Sequence, residues 1–167
     1  TLVKVARAAL AANRAEPPAR GELDFAEFMS NGRPLGDTRV VVVDPTTRER
    51  CAEEMIGEVW VAGSSVTPGY WRQAELNREA VQGRLAPEGD GPFFRTGDLG
   101  FLRKGELFIT GRLKVLIIIR GKNFYPADLE GAVLPALAKY DIKGGAAFAF
   151  ERDAGEKLGL VFEAPGA

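Results

Sequence analysis

The stretch FFRTGDLGFLRKGELFIT, residues 93–110, decides the fold class of this chain. Two apolar runs, FFRTGDLGFL and ELFIT, flank the turn sequence RKGE, which is typical of an antiparallel strand pair. The same texture begins upstream in RVVVVD and GEVWVAG, where β-branched residues stand between Gly, Pro and Asp punctuation. The central part of the chain therefore predicts an antiparallel sheet.

The segments before and between these strands predict short helices and turns. KVARAALAAN, residues 4–13, has Ala and Leu at helical spacing and predicts a short helix that ends before two prolines. LDFAEFMSNG fits either a short helix or a strand. TPGYWRQAELNREAV predicts a turn and then a helix of about ten residues, and we expect the aromatic pair Tyr70 and Trp71 in that turn to pack in the core.

A different texture begins near Gly111. LKVLIIIRG is a β-branched run, NFYPADLEGAVLPALAKY predicts a helix that starts at Pro126, and GGAAFAFER and KLGLVFEA predict strands. We therefore place a flexible domain boundary at about residue 113. The predicted fold class is α+β: an antiparallel, β-rich and distorted barrel-like subdomain followed by part of a small α/β domain.

The composition excludes several function classes. Among 167 residues, 22 Lys and Arg balance 23 Asp and Glu, which gives no excess of positive charge for broad nucleic-acid binding. Without histidine and with one cysteine, the chain has no Ser-His-Asp triad, internal disulfide or ordinary Cys/His zinc site. No apolar run approaches the roughly 20 residues of a membrane span, and we expect a cytoplasmic protein.

Asp98, in TGDLG, is the first candidate site residue. We expect it in a short turn freed by glycines, where its two carboxylate oxygens can accept from two neighbouring hydroxyls, as on a nucleotide ribose. The alternative is a turn aspartate that bonds its own backbone. Arg112, one hairpin length downstream, offers a donor fork to the same ribose or to a phosphate, or else forms a simple surface ion pair with Asp98.

Five motifs in order carry a resemblance to a known family: GRPLGDTRVVVVD, GEVWVAGSSVTPGYW, FFRTGDLGFL, GELFITGRLK and IIIRGKNFYPADLE. This set, from about residue 32 to about residue 135, resembles the adenylate-forming ligases and most closely their fatty-acyl-AMP ligase branch. The resemblance implies that Asp98 holds the ribose hydroxyls of the nucleotide and that Arg112 contacts the ribose and a nearby phosphate.

The resemblance also implies roles around the domain boundary. Lys114 and Val115 fall at the hinge of a mobile C-terminal domain, with valine at residue 115 where relatives commonly carry aspartate. Gly121 falls near the path by which the pantetheine of a carrier protein enters. Residues 1–30 then correspond to an N-terminal segment like the insertion of that branch, 31–112 to the β-rich subdomain of the large domain, and 113–167 to the first half of the small domain.

The implied reaction uses ATP with Mg²⁺ to activate a fatty acid as acyl-AMP, which passes to an acyl carrier protein, for example in polyketide biosynthesis. Residues 1–167 contain no phosphate loop and no late lysine of the kind such enzymes use, so we assign no catalytic residue and expect no adenylation by this chain alone. Two other interpretations remain open: a non-catalytic interaction module derived from this fold, and a fragment of an acyl-CoA ligase or a peptide-synthetase adenylation domain.

Overall fold

The computed structural model describes residues 1–119, 122–142, 144–152 and 155–164. The chain divides into two compact units, Thr1–Leu113 and Lys114–Ala167. This division coincides with the change of sequence texture near residue 113. The assignment of each unit to a named domain of a larger enzyme stays a prediction.

The first unit is built mainly from antiparallel strands. Two of them, at its beginning, pair with each other, and four later strands form a sheet in the order β3-β4-β5-β6. In chain order its elements are β1 (Leu2–Ala6), α1 (Arg7–Ala11), β2 (Phe25–Met29), β3 (Arg39–Val43), β4 (Gly57–Ala62), α2 (Ala74–Ala80), β5 (Phe94–Arg103) and β6 (Glu106–Arg112).

The predicted α+β class is confirmed, and the predicted barrel-like closure is not. The sheet has β3 and β6 at its two edges, and the described strands do not close into a barrel. The second edge is partly covered, because Ser30 after β2 forms an antiparallel bridge with Phe108 in β6. Such a bridge supplies partners for part of an otherwise unpaired edge.

The core of the first unit is aromatic. Trp60 and Phe93 are fully or almost fully buried and pack in one cluster with Val41, Val43 and Leu85. The rings of Phe101 and Phe108, on neighbouring strands, stack with centroids 4.9 Å apart. Burying a side chain of this size contributes about 1.5–3 kcal/mol, so this cluster and the stacked ring pair help to hold β3, β4, β5 and β6 together.

The helix predicted over residues 4–13 is largely wrong. Leu2–Ala6 is a strand that pairs with Phe25–Met29, and the helix that follows is only Arg7–Ala11. Val5 is completely buried. A short alanine-rich helix is marginal by itself, and pairing with β2 together with burial of Val5 outweighs that weak local preference. LDFAEFMSNG, which fitted either class, contains the strand β2.

The prediction that Tyr70 and Trp71 pack in the core is wrong. Their side chains are 44% and 83% exposed. The backbone of this turn is held instead by the side chain of Asn77, whose Oδ1 accepts from the Tyr70 N–H at 2.6 Å and whose Nδ2 donates to the Tyr70 carbonyl at 2.9 Å. The turn is therefore ordered without burial of its rings.

The second unit combines one longer helix with strand pairs. Pro126 opens the helix, as predicted, and the Ala147 N–H on a later strand donates to Glu130 Oε1 of that helix at 2.9 Å. Antiparallel pairs join β7 to β8 and β9 to β10. The elements are a 3₁₀ turn (Leu113–Val115, which begins at the last residue of the first unit), β7 (Ile117–Ile119), β8 (Lys122–Phe124), α3 (Pro126–Leu137), a 3₁₀ turn (Ala138–Tyr140), β9 (Gly144–Arg152) and β10 (Gly155–Glu163).

Candidate functional site

Asp98 lies inside a strand rather than in the short turn predicted for it. It belongs to β5, and its direct cross-strand partner is Arg112, the last residue of β6. The turn of this hairpin lies at Lys104 and Gly105. The two residues predicted to bind one ligand are therefore brought side by side on neighbouring strands.

A bulge in β5 takes Asp98 out of the regular pairing with β4, while its pairing with β6 is kept. Glu58 in β4 pairs with Leu99 in β5, and Trp60 pairs with Arg95. These two pairs are two residues apart in β4 but four residues apart in β5. The two extra residues are accommodated because Gly97 adopts φ +73°, a conformation that costs other residues about 1–2 kcal/mol. Bulges of this kind re-aim side chains.

The hydroxyl of Thr96 fastens the bulge. Its Oγ1 donates to the Val59 carbonyl at 2.7 Å and accepts from the Asp98 N–H at 3.0 Å. One side chain thus ties the bulged strand to β4 and satisfies the backbone donor of the candidate residue. Thr96 is not among the predicted site residues, although its place two residues before Asp98 suits a local side-chain bond to the backbone.

The Asp98 carboxylate contacts Arg112 and not its own backbone. Arg112 Nε donates to Asp98 Oδ1 at 2.8 Å, and the two side chains are 71% and 31% exposed. Within the described residues, the second carboxylate oxygen and both Nη atoms of Arg112 have no further hydrogen-bond partner. The alternative of a turn aspartate bonded to itself does not describe this structure, and the pair offers an acceptor and a donor fork to solvent.

A buried ion pair supports β5 three residues before Asp98. Glu58 is 2% exposed, and its Oε2 accepts from Arg95 Nε at 3.1 Å and from Nη2 at 2.9 Å. The Arg95 guanidinium lies 5.4 Å from the centre of the Trp60 ring. Sequence reasoning missed this pair, whose only signal was a single acidic residue within the apolar strand GEVWVAG.

The predicted hinge and carrier-path residues belong to the other unit. Lys114 and Val115 lie in the 3₁₀ turn Leu113–Val115, and both are exposed. Gly121 lies outside the described residues. Of the five predicted site residues, the structure brings Asp98 and Arg112 together, and the roles of all five stay predictions.

The described residues offer neither a metal-binding group nor a membrane-spanning helix. They contain no group of three or more acidic or cysteine side chains close enough to hold a metal ion, so no Mg²⁺ ligand is assigned to them. In the same residues no helix is long and apolar enough to cross a membrane.

Comparison with known proteins identifies the family of the chain. Residues 8–71 match the model of a family described as AMP-binding enzyme. The chain belongs to the AMP-binding enzymes. The predicted family is thereby confirmed, while the matched residues end before Asp98, whose role is not tested by this match.

The relatives of this chain include acid-activating ligases. A medium-chain-fatty-acid–[acyl-carrier-protein] ligase, JamA, of Moorena producens is 44% identical over 146 residues, which are 87% of this chain and 25% of that protein. A 4-hydroxyphenylalkanoate adenylyltransferase of Mycobacterium marinum is 38% identical over 160 residues, 92% of this chain and 25% of that protein. The chain thus spans about a quarter of the length of these relatives.

Solved structures resemble the chain over nearly its whole length. The crystal structure of a fatty acid AMP ligase from Legionella pneumophila matches 99% of this chain and 28% of its own, with a TM-score of 0.64 and 34% identity. That agreement covers the segments on both sides of residue 113.

Proposed function

We propose that this chain is the ribose-binding part of a larger ligase that joins a fatty acid to AMP. The observation that carries the proposal is the Asp98–Arg112 pair, with one carboxylate oxygen and both Nη atoms unused by the described residues. Two ribose hydroxyls donate to the Asp98 carboxylate, and the free arm of the Arg112 guanidinium donates to a ribose or phosphate oxygen. The relatives are named for a fatty acid and for 4-hydroxyphenylalkanoates, which supports this substrate class.

In the proposed reaction a carboxylate oxygen of the fatty acid attacks the α-phosphorus of ATP. The bond between that phosphorus and the bridging oxygen breaks, pyrophosphate leaves with the electron pair, and acyl-AMP remains. The residues of this chain contribute by fixing the nucleotide, because a ribose held at two hydroxyls keeps the α-phosphate in place for in-line attack. None of them is assigned a proton transfer or a covalent step.

The remaining parts of the proposal concern the complete enzyme. Mg²⁺ would accompany ATP there, but the described residues contain no group of three or more acidic or cysteine side chains that could hold a metal ion, and we derive no step through the ion. Lys114 and Val115 are proposed as the hinge between residues 31–112 and 113–167, with Gly121 beside the carrier path and residues 1–30 as a family insertion. The acyl acceptor is proposed to be an acyl carrier protein, which is the acceptor named for the Moorena relative.

The test of the ribose role is Asp98→Asn in the complete polypeptide that contains this chain. The amide keeps the shape but replaces a charged acceptor, and hydrogen bonds to charged groups are worth about 1.5–3 kcal/mol each. Affinity for a non-hydrolysable acyl-AMP analogue should therefore fall by about one to three orders of magnitude. Titration calorimetry measures it, and thermal melts should move little because the pair is exposed.

Asp24→Asn is the matched control. Asp24 Oδ1 also faces an arginine Nε, that of Arg7 at 3.3 Å, and its side chain is 75% exposed. This substitution should leave the affinity unchanged. If Asp98→Asn behaves like Asp24→Asn, the pair is an ordinary surface ion pair and the proposed function loses its supporting observation.

The acceptor is tested separately with the same complete polypeptide. Transfer of the acyl group to carrier protein and not to coenzyme A would support the proposal, and transfer to coenzyme A would favour an acyl-CoA ligase. For residues 1–167 alone we expect no fatty-acid-dependent ATP–pyrophosphate exchange above background. Exchange by this chain would contradict the assignment of catalytic residues to other parts of the enzyme.

A further inference from the structure

Four arginines and one glutamate line a cleft in the first unit. The cleft measures about 610 Å³, a size typical of small-molecule sites. It lies between α2, the loop that follows α2 and the start of β5, and neither Asp98 nor Arg112 lines it. Its charged lining residues are Arg48, Arg78, Glu79, Arg84 and Arg95.

Two of these arginines are already neutralised. Arg95 is paired with the buried Glu58, and Arg78 donates to Glu75 at 2.8 Å. In the part of the chain that the structure describes, Arg48 and Arg84 have no carboxylate at ion-pair distance. Among the lining residues, Glu79 therefore supplies one negative charge against the two positive charges of Arg48 and Arg84.

The backbone of Arg48 and the guanidinium of Arg84 are held in place by hydrogen bonds. Arg48 adopts φ +62°, with its N–H bonded to the Asp44 carbonyl and its own carbonyl bonded to the Ala86 N–H, both at 2.9 Å. Arg84 Nη1 donates to the Gly89 carbonyl at 3.0 Å, which orients the guanidinium, and its other N–H groups have no partner among the residues that the structure describes. A guanidinium held this way loses less freedom when it binds a ligand.

The indole of Trp60 adds a third unused donor. Trp60 lines the cleft and is completely buried, and its Nε1 has no hydrogen-bond partner among the described residues. An indole N–H can only donate, and a buried donor without an acceptor is costly. Among the described residues, Arg48 has no carboxylate at ion-pair distance and Arg84 bonds only the Gly89 carbonyl. A ligand that pairs with both guanidiniums must therefore supply several oxygens.

We propose that this cleft binds a phosphate-bearing anion. A phosphate group offers three terminal oxygens and pairs with the planar fork of arginine at two of them, whereas a carboxylate offers only two oxygens in one plane. The same phosphate chemistry is present in inorganic pyrophosphate and in a nucleotide. The site is independent of the proposed ribose role of Asp98, and neither proposal requires the other.

The test uses the 167-residue chain with Trp71→Phe, which leaves Trp60 as its single tryptophan. Titration with pyrophosphate should change Trp60 fluorescence in a saturable way, and added salt should weaken the binding. ATP added in a second titration should reproduce the change if the phosphates of a nucleotide are accepted, while adenosine should produce none. Absence of a saturable change with both pyrophosphate and ATP would overturn the proposal.

Variants of the two unpaired arginines locate the site. Arg48→Ala with Arg84→Ala should weaken pyrophosphate binding at least tenfold. The control, Arg20→Ala with Arg72→Ala, removes two exposed positive charges that do not line the cleft, and it should leave binding within about twofold. Equal affinities of the two double variants would overturn the site assignment. Because truncation of Arg84 removes its contact with Gly89, Arg84→Gln provides a second variant, in which binding should also fall.

Discussion

Arg112 Nε donates to Asp98 Oδ1 at 2.8 Å across two neighbouring strands, although the residues stand fourteen positions apart in the chain. The contact exists because the β5–β6 hairpin places the two residues opposite each other. The bulge at Gly97 interrupts the pairing of this part of β5 with β4. The position of the candidate site therefore depends on the backbone of β5 as much as on the two charged side chains.

The hydroxyl of Thr96 should be required for the bulge. Thr96→Val keeps the side-chain volume but removes the bonds to the Val59 carbonyl and the Asp98 N–H. At about 0.5–1.5 kcal/mol for each bond, the free energy of unfolding should fall by about 1–3 kcal/mol in urea titrations. Thr96→Ser keeps the hydroxyl and should lose less than half as much, and equal losses would contradict the bridging role.

The ion pair of the buried Glu58 with Arg95 should contribute more to stability than the exposed ion pair of Glu75 with Arg78. Glu58→Gln leaves the half-buried Arg95 without a charged partner and should cost about 1.5–3 kcal/mol. Glu75→Gln removes the same group from an ion pair of similar length, with Arg78, on the surface, where about 0.2–1 kcal/mol is expected. Urea titrations of both variants make the comparison. A cost for Glu58→Gln no larger than that for Glu75→Gln would show that burial does not strengthen this pair.

Cys51 should react slowly with thiol reagents near neutral pH. Burial, and then the negative charge of Asp44, raise the pKa of the Cys51 thiol above its ordinary value, so less reactive thiolate is present in the folded chain. Because folding raises the pKa of the Cys51 thiol, this group favours the folded state at pH values below its ordinary pKa of about 8.5. This contribution to the free energy of unfolding is lost as pH rises through the folded-state pKa.

The pH dependence of alkylation by iodoacetamide measures this shift at the single cysteine of the chain. The midpoint in the folded protein should lie above that in urea, and Asp44→Asn should lower it because the asparagine carries no charge. A folded-state midpoint at or below the one in urea would contradict the predicted direction.

The connection between the two units should be the first site of limited proteolysis. Arg112 and Lys114 are exposed trypsin sites on either side of the boundary after Leu113. Lys104 is a matched control, since it is exposed in the tight turn between β5 and β6. Mass spectrometry of early digests should find cleavage after Arg112 or Lys114 before cleavage after Lys104. The reverse order would argue against a flexible connection.

Local sequence was sufficient to predict an element where the preference of its residues agrees with the environment in which they are finally packed. RVVVVD, GEVWVAG and FFRTGDLGFL became strands as predicted, because β-branched and aromatic residues fit a sheet packed on a core. Pro126 opened a helix for an equally local reason, since its fixed φ suits a first helical position. The choice of Asp98 and Arg112 as candidates also came from the sequence, through motif order and resemblance.

Contacts between segments that are distant in the sequence decided the features that the local sequence did not predict. Leu2–Ala6 became a strand because Phe25–Met29 lies beside it, and nothing within residues 4–13 encodes that neighbour. Glu58 lies buried because Arg95, far along the chain, meets it on the next strand. The sequence named Asp98 but placed it in a turn. The pairing of β4, β5 and β6 puts it instead in a bulged strand opposite Arg112, because strand register is set by packing across the sheet.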